Sequence, residues 1–226
     1  MDLEIKKDLA SNWFKTLQEA ICNDISNLEN NKIQFTSKTW KRSKIKDEGG
    51  GEYRILKNGK IFDKVGVNYS KVYGAFPKEF QKNIPGAAKD PRFWASGISV
   101  VMHMKNPHIP AMHFNTRYIS TTYDWFGGGM DVTPCINDTN EKRNFHLTLK
   151  KMCDRHNKSY YKKYKKWCDE YFYLPHRKEA RGIGGIFFDY KKKNFEKDFK
   201  FVRDVGVTFQ MIFNSIIKKK IKKKWN

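Results

Sequence analysis

Two runs, ISVVMHMK (98–105) and AMHFNTRYIS (111–120), joined only by NPHIP, constrain this chain more than any other stretch. Both are of β type, and so short a link makes them neighbouring antiparallel strands. Successive side chains of a strand point to opposite faces, so Ile98, Val100, Met102, Met112, Phe114 and Tyr118 form one apolar side. The odd positions differ in kind: Ser99, Val101 and His103 on one strand, His113, Asn115 and Arg117 on the other. A hairpin centred near His108 pairs 103 with 113, 101 with 115 and 99 with 117, which gathers Ser, two His, Asn and Arg on one sheet face. A slip of one residue would bring that polar row onto the apolar side, so the clean apolar face supports the parity but not the register.

Around this hairpin the periodicity predicts a mixed chain. Leu3, Ala10, Trp13, Phe14, Leu17, Ile21, Ile25 and Leu28 recur at helical spacing and predict a long helix over 3–28. From 33 to 73 come short β-type runs, IQFTSKTW, EYRIL and KIFDKVGVNYSKVYG, with Asn58-Gly59 as a type I′ hairpin signal, and a meander is expected. PKEFQKNIPG (77–86) reads as one short helix stopped by Pro85-Gly86, and YDWFGGGMDVTP (123–134) as a loop. Beyond it Phe145, Leu149, Met152, Cys153 and His156 mark a helical stripe, and YYKKYKKWCDEYFYLPHRKEARG continues in helical character to a terminator at Gly182. GIGGIFFDY (182–190) reads as a strand, and 195–219 as a last helix. At 226 residues a single domain over 1–226 is expected.

A hydrophobic fraction of 39%, with 15% aromatic residues, supplies a packed core and excludes general disorder. No run approaches the roughly 20 apolar residues of a membrane span, and acids stand where a signal peptide is basic, so a soluble cytoplasmic protein is expected. Cys22, Cys135, Cys153 and Cys168 are scattered, with no C-x-x-C pair, which argues against a disulfide scaffold or zinc knuckle. The net charge is +21, yet 36 lysines face only nine arginines in a chain rich in Asn and Ile, a bias that base composition of the coding DNA can produce. No nucleic-acid module is recognisable, so a basic nucleic-acid binder stays a weaker rival to a cleft that draws in a small polycarboxylate.

Three stretches carry candidate chemistry. In W-F-G-G-G-M-D (125–131) consecutive glycines let backbone approach a ligand while Asp131 orients or protonates a polar group such as a pyrrole nitrogen; a tight turn whose Asp caps the next element is the alternative. In H-R-K-E-A-R-G (176–182) Arg177 and Arg181 are four apart, on one face if helical, where two guanidinium forks suit a pair of carboxylates; cations favouring a helix C-terminus are the alternative. His103 opposite His113 is the best pair for a metal or for proton transfer, while His146 and His156, taken singly, read as partly buried structural residues.

Taken together, GAFPKEF, GISVVMHMKNPHIPAMHFNTRY, WFGGGMDVTP and KKWCDEYFYLPHRKEARGIGGIFFDY, in that order, resemble oxygen-dependent coproporphyrinogen III oxidase of haem biosynthesis. The resemblance implies an α+β fold, a large, flat antiparallel sheet covered by α-helices on both faces, and a homodimer. It implies oxidative decarboxylation of two propionates of coproporphyrinogen III to vinyl groups, giving protoporphyrinogen IX, with dioxygen as co-substrate and no organic cofactor. By the same resemblance His113 is the proton donor, Asp131 holds the pyrrole N–H groups, Ser99, Asn115, Thr116 and Arg117 contact substrate, and Arg177 and Arg181 engage propionates. His103, His113, His146 and His176 match histidines assigned to a divalent metal, in a family also described as working without one.

Family members continue past the last helix with Y-V-E-F-N-L, D-R-G and G-G-R motifs that this sequence lacks, and a C-terminally truncated chain is expected. Three readings of function follow: an oxidase, an inactive remnant that still binds porphyrinogen, and the nucleic-acid binder.

Overall fold

Asp2 opens the first helix, α1 (Leu3–Leu28), by accepting the Glu4 backbone N–H at 2.8 Å, and buries the stripe from Ala10 and Phe14 through Ile25. The computed structural model describes residues 1–225; Asn226, the end of the expected domain, lies outside the described residues. After α1 come β1 (Thr36–Lys41), β2 (Gly49–Lys57), β3 (Phe62–Ala75), a single turn α2 (Lys78–Gln81), β4 (Arg92–Met104), β5 (Ala111–Ser120) and β6 (Asp124–Thr133). Then follow α3 (Thr139–Asp154), α4 (Tyr160–Tyr171), the two-residue strands β7 (Tyr173–Leu174) and β8 (Glu179–Ala180), β9 (Gly185–Lys191) and α5 (Phe195–Lys220).

One antiparallel sheet runs in the order β1-β2-β3-β4-β5-β6-β9, so the expected meander extends to six strands and β9 joins its far edge. Ile98, Val100, Met102, Met112, Phe114 and Tyr118 are buried as expected, Tyr118 among the largest side chains wholly enclosed. Burying each of the aliphatic, Met and Phe side chains gains roughly 1.5–3 kcal/mol over leaving it in water. The helices α1 and α5 cover this side: Gln18 donates to the Val67 carbonyl at 2.9 Å, and Phe209 stacks on Phe114 with ring centres 4.8 Å apart. The two helices also join each other, Gln210 and Asn214 both donating to Asp24.

The fourth helix rounds the edge strand. Tyr164 meets Phe188 and Phe201 on the α5 side, while Trp167 and Tyr171 meet Phe187 on the opposite side. Helix cover of that second side comes from the C-terminal turns of α4, and Val101, His103 and Trp40 remain exposed there.

Several local expectations change. The β4–β5 register is displaced by two residues, with Val101 opposite His113, Ser99 opposite Asn115 and Gly97 opposite Arg117. Parity survives because an even shift leaves every side chain on its own face. The displacement follows from the link: Ile109 sinks into the core, and the Asn106 amide holds the Lys220 and Lys223 carbonyls at the end of α5. At Asn58-Gly59 the chain does turn, with Asn58 at φ +57°, but over four residues instead of two. The buried Glu29 carboxylate accepts the N–H groups of Lys60, Ile61 and Phe62 at 2.7, 2.8 and 2.9 Å and shapes this longer loop. The segment expected as the WFGGGMD loop is the central part of β6, and 77–86 makes only one helical turn. Helix α4 stops at Tyr171, and the segment with Arg177 and Arg181 is the β7–β8 hairpin, so these arginines share no helix face. Lys178 at φ +53° makes that hairpin's turn.

Among the described residues no helix is long and apolar enough to cross a membrane.

Candidate active site

The uncovered side of the sheet opens a cleft of about 400 Å³ beside the α4 end, lined by Ser99, His113, Asn115, Arg117, Asp131 and Arg181 among others. Strand pairing makes it: Ser99 faces Asn115, and β6 puts Asp131 opposite His113, Gly129 opposite Asn115 and Gly127 opposite Arg117. Two of the three glycines thus fall on the cleft side, and at Gly127 the missing side chain leaves room for Arg117 and Asp189. A Cβ at Gly129 would drive into the Ile186 carbonyl and the Phe187 Cα of β9.

Asp131 lies at the bottom, 2% exposed. Arg181 holds it in a two-pronged grip, Nη2 donating to Oδ1 at 2.8 Å and Nε to Oδ2 at 3.2 Å, and the His113 Nδ1 stands 3.3 Å from Oδ2. In the tautomer that carries its proton on Nδ1, His113 donates to this carboxylate. That leaves the His113 Nε2 as the atom free to take or give a proton. The guanidinium of Arg181 lies 3.8 Å from the centre of the Phe172 ring, and Tyr171 stacked on Phe187 at 4.2 Å makes the apolar wall. Arg117 donates Nη1 to the Asn115 Oδ1 at 3.1 Å and Nη2 to Asp189. The cleft therefore offers two arginines, one imidazole nitrogen and one aromatic wall, an arrangement suited to a flat apolar ligand with carboxylates at its rim.

Some expected residues are elsewhere. Thr116 is wholly buried on the helix side, its hydroxyl without a partner among the described residues. The shift to that side follows from strand alternation between Asn115 and Arg117. Arg177 points away and pairs with Glu179 at 2.7 Å. The four histidines are not brought into one metal site: His103 and His113 stand side by side, but the His146 Nε2 donates to the Ile183 carbonyl at 2.9 Å and His176 sits in the β7–β8 hairpin. Among the described residues no group of three or more His, Cys, Asp or Glu is placed to hold a metal ion. Burial lowers the His146 basicity, which keeps its ring neutral.

Cys168, under the site, is no nucleophile. Burial first, then Asp131 and Asp169, push its thiol up to about 12 against the opposing pull of Arg181. Unanticipated residues include Asp189, from the end of GIFFDY, and the wall of Tyr171, Phe172 and Phe187. A signal for part of the wall was present: three consecutive aromatics in DEYFY, which supply Tyr171 and Phe172, next to the arginine motif.

The family model for coproporphyrinogen III oxidase matches residues 10–226. An oxygen-dependent coproporphyrinogen-III oxidase of Rickettsia akari (strain Hartford) is 46% identical over 97% of this chain and 80% of its own length. Proteins of the same description from Rickettsia rickettsii (strain Sheila Smith) and Rickettsia bellii (strain RML369-C) are 46% and 45% identical, matching 82% and 80% of their own lengths. A cleft that joins His113, Asp131, Arg117 and Arg181 of those motifs, on a sheet whose strands the same motifs build, agrees with that match, and this chain belongs to the coproporphyrinogen III oxidase family.

Proposed function

We propose that this chain is an oxygen-dependent coproporphyrinogen oxidase, acting on coproporphyrinogen III with dioxygen as co-substrate. The convergence of His113, Asp131 and Arg181 in one cleft with Ser99, Asn115 and Arg117 is the observation that carries this reading.

In the proposed reaction each of two propionates loses its carboxylate as carbon dioxide while the side-chain carbon attached to the pyrrole gives up a hydride equivalent, and the electron pair of the broken carbon–carbon bond forms the new double bond. Dioxygen accepts that hydride equivalent together with one proton and departs as hydrogen peroxide, leaving a vinyl group. The His113 Nε2 handles the proton, and Asp131 holds the ring through Nδ1 and stabilises positive charge on it. The same buried negative charge favours an electron-rich pyrrole above it. Arg181 has no partner for Nη1 among the described residues, so it can grip Asp131 and still donate to a propionate. Ser99, Asn115 and Arg117 flank that position. Thr116 and Arg177 contribute no side chain to this scheme, and no step runs through a metal.

A single-domain chain, a cytoplasmic setting and a homodimer belong to the same proposal. The four free cysteines support the setting, and the fully exposed outer strand β1 supports a pairing edge. The deciding experiment incubates the purified chain with coproporphyrinogen III in air and without oxygen, following protoporphyrinogen IX by chromatography after oxidation. Product that depends on oxygen is the expected result; a folded chain that gives none in air refutes an independent oxidase and leaves a porphyrinogen-binding remnant.

A further inference from the structure

We infer that Asp189 is a positioning residue that aims Arg117 at the substrate; this rests on the function proposed above and adds a residue that it does not use. Arg117 reaches its partner across 72 positions of sequence, Nη2 to the Asp189 Oδ2 at 2.5 Å. The other carboxylate oxygen is held by the Trp125 Nε1 at 3.1 Å and by the Tyr190 N–H at 2.9 Å. Asp189 is thus clamped by groups that touch no substrate, and passes its fixed direction to one that does. With Asn115 accepting from Nη1, the Arg117 fork is held at two of its three nitrogens.

Two backbone features serve this clamp. Gly127 lies opposite Arg117, and a Cβ there would meet the Asp189 Oδ1 and the Arg117 Cζ, so the ion pair occupies the space of the missing side chain. Tyr190 takes φ +52°, a left-handed conformation that bulky residues rarely adopt, and its ring faces Trp125 at 5.6 Å. The pairing of β6 and β9 shifts register at the same place, between Phe126 and Gly128. Strain, an irregular ladder and a glycine thus coincide around one carboxylate.

The inference has a sign that electrostatics alone would reverse. A carboxylate that only neutralised Arg117 would weaken attraction for an anionic propionate, so its removal would tighten binding. A carboxylate that positions Arg117 makes its removal loosen binding, because a free guanidinium must be ordered at each encounter. The test measures kcat and KM with coproporphyrinogen III, and Kd for the stable porphyrin coproporphyrin III, in Asp189→Asn, which keeps an acceptor for Trp125. KM and Kd are expected to rise about tenfold or more, the size of one charge-assisted hydrogen bond, with kcat changing less. Adding Asp189→Asn to Arg117→Lys should then cost little further, since the first change has no guanidinium left to aim. Trp125→Phe, which removes only the outer clamp, should raise KM in the same direction and keeps the test open if Asp189→Asn does not fold. Unchanged or tighter binding in Asp189→Asn or Trp125→Phe overturns the inference, as do losses that multiply independently with Arg117→Lys. A wild-type chain that binds coproporphyrin III but gives no product sinks the oxidase reading alone; one that neither binds nor converts sinks both.

Discussion

Arg181 and Asp131 stand fifty residues apart in sequence yet share two hydrogen bonds, one at 2.8 Å and one at 3.2 Å, with the carboxylate almost sealed from solvent. A lysine restores the charge but not the fork. Arg181→Lys should lower kcat/KM by about tenfold to a hundredfold, through the lost geometry. Arg181→Leu leaves a buried carboxylate without its counter-charge and should destabilise the fold by about 3–5 kcal/mol. Steady-state kinetics and denaturant unfolding separate the two effects.

The His113 Nδ1 contact makes Asp131 a test of orientation. Asp131→Asn preserves shape, but its amide nitrogen competes as a donor toward Arg181 and its remaining oxygen cannot serve both partners. Turnover is expected to fall by about 10²–10⁴-fold, the range for a displaced acid–base group. Circular dichroism should stay native-like, and turnover near wild type would remove Asp131 from the chemistry.

Glu29 closes the β2–β3 loop by accepting three backbone N–H groups while only 3% exposed. Glu29→Ala abandons those donors inside the protein and should cost about 2–4 kcal/mol by chemical denaturation. The cleft contains none of these atoms, so kcat of the folded fraction should hold.

Asp138 ties the start of α3 to the end of α5: its carboxylate accepts the Glu141 N–H at 2.9 Å and pairs with the Lys220 Nζ at 3.0 Å. The backbone hydrogen bond first, then Lys220, lower its pKa from 3.8 to about 2. A carboxyl group depressed on folding stabilises above its unfolded value, and that contribution is lost as pH falls from about 4 toward 2. Asp138→Asn keeps a helix cap without the charge, so its stability should fall less steeply than wild type in that window. Parallel slopes in pH-dependent unfolding curves would contradict the pairing.

The four thiols should divide three to one. Burial first pushes Cys22, Cys153 and Cys168 each up to about 12, whereas Cys135 is exposed. A thiol reagent at neutral pH should label one cysteine in the native protein and four in denaturant. Rapid native labelling of Cys168 would show that the wall beside the cleft opens.

Gly129 is expected to tolerate no side chain, because a Cβ meets backbone of β9 on one side instead of a movable side chain. Gly129→Ala should part β6 from β9, lowering the thermal midpoint and, by displacing Phe187, weakening porphyrin binding. The measurement is a melting curve with and without coproporphyrin III, and ligand stabilisation equal to wild type would show an unmoved wall.

Long-period patterns carried most of the fold. Helix α1 runs over 3–28 as its apolar spacing predicts, and α5 extends one residue past the expected 219. The faces of β4 and β5 followed from alternation, because a polar row turned inward would bury unpaired groups. Where local chemistry was ambiguous, the sequence pointed the wrong way: three glycines read as a loop, yet between Asn115 and Phe187 they let the next-to-edge strand β6 pass with bare backbone.

Local patterning therefore settled the parity of the strands, the two long helices and the family motifs that mark the cleft. Tertiary structure alone decided the β4–β5 register, which an anchored link moved by two residues, and the fate of the two arginines four apart. Arg181 turned in to Asp131 and Arg177 outward to Glu179 because a hairpin, stabilised by partners distant in sequence, replaced the helix that local spacing favoured. The same reason hid Asp189: its importance lies in an arginine 72 residues away, and only packing brings them together.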